Sequence, residues 1–63
     1  MEYRIYVNGK LVNICGSFAL VGNVTSYDKK YGEDNVEIKH VKRIMDDEKR
    51  EWLNHMMDDM QLD

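Results

Sequence analysis

The chain has 63 residues, one cysteine, no proline and a formal net charge of −3. This length predicts one small domain, and a single cysteine excludes an intrachain disulfide. Chains below about 70–80 residues seldom bury enough apolar surface without a disulfide, a metal or a partner. The two histidines and Cys15 have no familiar metal-ligand spacing, so we expect a homodimer or docking on a protein partner.

The charge is distributed unevenly along the sequence. Residues 1–45 carry seven basic and five acidic side chains, whereas residues 46–63 carry two basic and seven acidic ones. This profile indicates an acidic C-terminal element and disfavours general nucleic-acid binding. No apolar run is long enough to span a bilayer, and the lone thiol suits a reducing compartment. We therefore expect a cytoplasmic protein without membrane association.

Residues 3–14 predict a β-hairpin that turns at Asn8-Gly9. A two-residue type I′ turn needs positive φ at both central positions, and Asn-Gly supplies this most easily. Strict alternation from that turn places side chains on two faces. The core face then pairs Val7 with Lys10, Ile5 with Val12 and Tyr3 with Ile14. The mixed face pairs Tyr6 with Leu11, Arg4 with Asn13 and Glu2 with Cys15, and Tyr6 with Leu11 form a second candidate interface.

Residues 18–31 predict an amphipathic helix. Leu20, Val24 and Tyr27 recur at helical spacing, with Ser17 and Gly32 as candidate caps at the two ends. The poor helix propensity of residues 21–25 leaves a second hairpin, turning at Gly22-Asn23, as the alternative. We favour the helix because the periodicity and both caps agree.

A third strand is predicted to start at Val36 and to end or bulge near His40. An acidic helix follows over about residues 46–61, with Asp46 as its N-cap. The sequence therefore predicts a single α+β domain over residues 1–63 with element order ββαβα. Its sheet is expected to be three-stranded and mainly antiparallel, with one or two packed helices.

The sequence contains no recognisable catalytic or metal-binding constellation. A hydrolase needs a nucleophile, a base and an oxyanion donor that converge. Cys15 is interpreted more simply as a buried thiol, and His40 and His55 as ordinary imidazoles. We expect no enzymatic activity and no cofactor.

The C-terminal helix carries a stripe that suits protein binding. Tryptophan is a frequent interface anchor, and methionine adapts to irregular partner surfaces. The alternative is that the stripe only completes the intrachain core. The candidate partner-binding residues are Trp52, Met56, Met57 and Met60, with Glu51, Asp58 and Asp59 as an acidic rim.

The basic residues around the third strand give an alternative function. Lys39, Lys42 and Arg43 would contact phosphates in a small nucleic-acid-binding or transcription-regulatory module. Their simpler interpretation is an edge strand whose lysines prevent aggregation.

In length and pattern the chain is similar to small accessory proteins of phages and other mobile elements. That similarity implies an interaction protein, such as an anti-defence inhibitor or modulator, in the cytoplasm of a host cell. It would act by steric occlusion of a host enzyme or complex.

Overall fold

The computed structural model describes the backbone of residues 1–60 and the side chains of residues 1–56. Within that part, the chain forms three strands, two α-helices and one 3₁₀ turn. They are β1 (Glu2–Val7), β2 (Lys10–Cys15), α1 (Ser17–Tyr31), the 3₁₀ turn (Glu33–Asn35), β3 (Val36–Val41) and α2 (Asp47–Met60). All strand pairs are antiparallel, in the order β2-β1-β3. The predicted α+β fold of order ββαβα is confirmed.

The hairpin turn forms as its sequence predicts. Asn8 and Gly9 have φ of 51° and 80°, which are the positive values that a type I′ turn requires. Val7 pairs with Lys10 and Tyr6 with Leu11. The local chemistry of the turn thus sets the first two pairs of the ladder.

Beyond those two pairs, the predicted register is wrong. The register shifts between Ile5 and Tyr6, so that Ile5 pairs with Asn13, Arg4 with Ile14 and Tyr3 with Cys15. Val12 is the extra residue of a β-bulge, and one extra residue moves every later side chain of β2 to the opposite face. The strict alternation assumed from the turn therefore assigned Asn13, Ile14 and Cys15 to the wrong faces.

Helix α1 occupies the segment for which a second hairpin was the alternative. It ends at Gly32, whose φ is 92° and whose N–H donates to the Asp28 carbonyl at 2.9 Å. Its start differs from the prediction, because Ser17 is the first helical residue and the preceding Gly16 has no side chain to cap with. The predicted glycine stop at the C-terminus of α1 is therefore present, whereas the predicted Ser17 cap at its N-terminus is not.

Burial is concentrated in the central strand. Among the side chains described, the buried hydrophobic ones are Ile5, Tyr6 and Val7, and Ile5 is 0% exposed. Helix α1 contacts all three strands, and its Leu20 and Val24 are half-buried. Because β1 lies between two partners, its residues are covered from both sides and both edges, whereas β2 and β3 each keep one open edge.

The two helices cover opposite faces of β1. Arg4 and Tyr6 make side-chain hydrogen bonds to the start of α2. The alternating residue Ile5 therefore lies on the other face, which is the one available to α1. Over the residues described, no helix combines the length and the apolarity that crossing a bilayer requires.

Candidate functional site

A buried arginine fastens the N-terminus of α2 to the sheet. The Arg4 side chain is 4% exposed, and its Nη1 lies 2.7 Å from Asp46 Oδ2 and 3.1 Å from Glu48 Oε1. The Tyr6 hydroxyl donates to the same Glu48 oxygen. Lys49 Nζ donates to the buried Glu2 at 2.9 Å. Charge-assisted bonds between β1 and the first turn of α2 thus set the position of the helix.

Asp46 has two roles in this cluster. Its Oδ1 accepts the Lys49 backbone N–H at 2.9 Å, which is the N-cap interaction that the sequence predicts. Its Oδ2 accepts from Arg4, and this hydrogen bond, followed by the one from Lys49, lowers the pKa of the Asp46 carboxyl. The hydrogen bond to Asp46 in turn raises the pKa of Arg4. Burial and then the hydrogen bond to Glu48 raise the pKa of Tyr6, so the phenol stays neutral at pH 7.

An open groove runs between β2 and α2. Its volume is about 620 Å³. Four of its lining residues are apolar, and acidic and basic side chains border them. Strand β2 contributes Lys10, Leu11 and Val12, and α2 contributes Glu48, Glu51, Trp52, His55 and Met56. We call this the β2–α2 groove.

Trp52 separates the β2–α2 groove from a smaller one. The second groove, of about 370 Å³, is lined by Trp52 together with Ile14 and Cys15 from the end of β2 and the polar side chains of Glu2, Arg43 and Lys49. Trp52 is half-buried, so the indole both packs against the sheet and borders two open depressions. Trp52 is therefore accessible from two grooves.

The structure places the predicted partner-binding residues unevenly. Trp52, Met56 and Glu51 all line the β2–α2 groove, and Met56 is 43% exposed. The other four predicted residues, Met57, Met60, Asp58 and Asp59, have side chains outside the described part of the chain.

Of the two residues in the second candidate interface, Leu11 is accessible and Tyr6 is not. Leu11 is half-buried and lines the β2–α2 groove. Its neighbour Tyr6 is 6% exposed, beneath the start of α2. Leu11 therefore belongs to the surface of the β2–α2 groove. Tyr6 lies beneath that surface and donates a hydrogen bond to Glu48, which also lines the groove.

The predicted nucleic-acid contacts have different surroundings. Lys39, Lys42 and Arg43 are all exposed. The Lys39 ammonium lies 4.9 Å from the centroid of the Tyr6 ring, a cation–π contact, and Arg43 borders the smaller groove beside Glu2. Acidic groups therefore neighbour part of this basic set.

Sequence reasoning missed two long-range contacts near the site. Arg4 was placed on a mixed face with no signal that it would be buried, because its partners Asp46 and Glu48 lie more than 40 residues away. The Tyr3 and His40 rings stack at 4.3 Å between centroids, and the pairing of these two residues across β1 and β3 is also long-range. The alternation of β3 could have suggested that His40 is exposed, but not that it stacks on Tyr3.

Comparisons with family models, with curated proteins and with solved structures find no match to this chain. The site therefore has to be interpreted from its own geometry.

Proposed function

We propose that this protein is a protein-interaction module that receives an apolar segment of a partner in the β2–α2 groove. The observation that carries the proposal is Met56, which is 43% exposed in an open groove beside the half-buried Trp52. A long, adaptable thioether next to an indole is typical of surfaces that bind other proteins.

The small core supports an external partner. Three buried hydrophobic side chains among residues 1–56 are few for an independently stable domain, and the single cysteine provides no intrachain crosslink. Covering the apolar floor of the groove would remove further apolar area from water, at about 25 cal/mol per Å². Binding would therefore also stabilise the fold.

The charges at the groove favour one kind of partner. Glu48 and Glu51 lie along the α2 wall, one helical turn apart, with Lys10 on the β2 side. Glu48 is already paired with Arg4, so the exposed Glu51 is the carboxylate that would meet a basic residue beside the apolar segment. Such complementary charge favours fast association and correct orientation. By binding such a segment in the groove, the protein would sterically occlude its partner, as expected for an inhibitor of a host enzyme or complex.

The test is a quantitative affinity capture from a lysate of the cells that encode the protein. Met56→Lys should reduce recovery of the specific partner about tenfold or more, because it places a charge in the apolar contact. Met45→Lys is the matched control, since Met45 is 55% exposed and lies outside the groove-lining set.

Circular dichroism of both variants should match that of the original protein, because both positions are exposed. A partner that is recovered equally with Met56→Lys and with Met45→Lys would contradict the proposal. Loss of recovery with Met45→Lys alone would place the contact in the segment before α2 instead.

A further inference from the structure

The outer edge of β3 has unpaired backbone groups at three alternate residues. The Asn8 N–H donates to the Asn35 carbonyl at 3.0 Å, one step beyond the Val7–Val36 pair. Hydrogen-bonded pairs alternate along an antiparallel ladder. Glu37, Lys39 and Val41 therefore direct their backbone groups towards β1, and the residues between them direct theirs outwards.

The hairpin gives the same parity independently. Val7 faces Lys10 across the two-residue turn, so the backbone groups of Val7 point to β2 and those of Tyr6 point to β3. Tyr6 pairs with Glu37, which again turns Glu37 inwards. The N–H and C=O groups of Val36, Ile38 and His40 thus form the open edge.

This edge is accessible along its centre. Residues 37–40 are exposed, and Ile38 is 42% exposed although its side chain is apolar. An edge with exposed apolar side chains and unpaired backbone groups pairs readily with another strand. It lies on the side of the sheet away from β2, so its occupation leaves the β2–α2 groove accessible.

We infer that β3 pairs with β3 of a second copy of this chain, antiparallel and centred on Ile38, to form a six-stranded sheet. A twofold axis perpendicular to the sheet requires one residue to face itself. With Ile38 at that position, Glu37 faces Lys39 of the partner twice over, and Val36 faces His40.

The charges of β3 select this register over its neighbours. Centring the axis on Lys39 would place two ammonium groups opposite each other, and centring it on Glu37 would place two carboxylates opposite each other. Like charges directly opposite destabilise an antiparallel pair, whereas opposite charges stabilise it. In the Ile38 register, the Glu37–Lys39 pairs are also the closely spaced, non-hydrogen-bonded ones, in which side chains interact most strongly.

The experiment is a charge exchange, measured by sedimentation equilibrium at low ionic strength. Glu37→Lys and Lys39→Glu should each weaken the homodimer by roughly tenfold or more, because each creates two like-charged pairs. The double variant E37K/K39E should restore dimerisation. An equimolar mixture of the two single variants should form a heterodimer, in which all four charges again face opposite charges.

Two further variants separate this interface from a general effect of charge or fold. Lys29→Glu on α1 makes the same charge change at an exposed position outside β3 and should leave dimerisation unchanged. Ile38→Pro should abolish the dimer while circular dichroism retains the monomer fold, because the N–H that proline removes points outwards.

A chain that stays monomeric at about 1 mM would overturn the inference. So would a dimer that is indifferent to the charge exchange, or one that Met56→Lys dissociates and Glu37→Lys does not. A monomer, or a dimer indifferent to the charge exchange, leaves capture of a partner by the β2–α2 groove as proposed, because the monomer also presents that groove. A dimer that Met56→Lys dissociates would instead place the second copy in the groove.

Discussion

The two faces of β1 hold their helices by different forces. Towards α1, Ile5 is 0% exposed, and the half-buried apolar residues of α1 lie on that side of the sheet. Towards α2, Arg4 is almost as buried, at 3% exposed, but it is held by carboxylates. Apolar packing tolerates small shifts in position, whereas directional hydrogen bonds from β1 to the start of α2 fix the helix in one register.

The polar attachment of α2 explains why this helix can present apolar residues to solvent. Because Asp46 and Glu48 secure its first turn, α2 does not depend on burying its whole apolar stripe. Met56, two turns further on, remains 43% exposed above the β2–α2 groove. The apolar face of β1 therefore mainly stabilises the fold, and the polar face positions the groove surface of α2.

The largest expected effect comes from the apolar face. Ile5→Ala should lower the free energy of unfolding by about 3 kcal/mol, because it leaves a cavity in the most enclosed part of the core. Urea denaturation at fixed protein concentration measures this loss. Val21→Ala, at a residue that is 74% exposed, should change stability by less than about 0.5 kcal/mol. Equal losses in the two variants would mean that Ile5 is not the centre of the core.

A smaller loss is expected from the polar face. Arg4→Met should cost about 2 kcal/mol, since it removes a buried donor and leaves carboxylates without their partner. Relative to the original protein, Arg4→Met should accelerate native-state hydrogen exchange more in α2 than in α1. The reason is that, of the two helices described, Arg4 makes hydrogen bonds only at the start of α2. If both helices exchange faster to the same extent, the attachment is not specific to α2.

Arg50→Met is the matched control for Arg4. Arg50 lies in the same helix and forms an exposed ion pair with Asp47 at 3.8 Å. Exposed pairs contribute about 0–1 kcal/mol, so this variant should be nearly neutral. A similar cost for the two arginines would show that burial does not distinguish them.

The smallest effect is a change in pH dependence. The pKa of Asp46 is lowered in the fold from its ordinary value of 3.8. The unfolded chain therefore binds this proton more readily, so the contribution of Asp46 is present above that value and is lost as the pH falls through the lowered pKa. Asp46→Asn keeps a good N-cap residue but removes the charge. Plotted against pH, its stability should decline less steeply in acid than that of the original protein.

Urea denaturation between pH 7 and pH 3 measures that difference. Parallel curves for the two proteins would mean that the hydrogen bond from Arg4 does not perturb the carboxyl. Glu48 and Glu2 would then provide the electrostatic attachment of α2 without Asp46.

Local signals determined the elements of this protein. Asn8-Gly9 defined the hairpin turn, Gly32 ended α1 and Asp46 capped α2, in each case through backbone conformations or hydrogen bonds within a few residues. Such interactions are encoded by adjacent residues, so the pattern of the sequence contains them. The helical period of residues 18–31 similarly outweighed their weak propensity.

Only the tertiary structure decided how those elements meet. The position of β1 between β2 and β3 and the burial of Arg4 depend on pairs that are far apart in sequence. The bulge at Val12 lies within the β1–β2 hairpin, where the alternating pattern predicted an unbroken ladder. A charged side chain is buried only if its partners arrive from elsewhere in the chain, and the gain from that contact has no local signature. The β2–α2 groove and the open edge of β3 follow from that assembly, which is why their residues could be named from the sequence but not brought together.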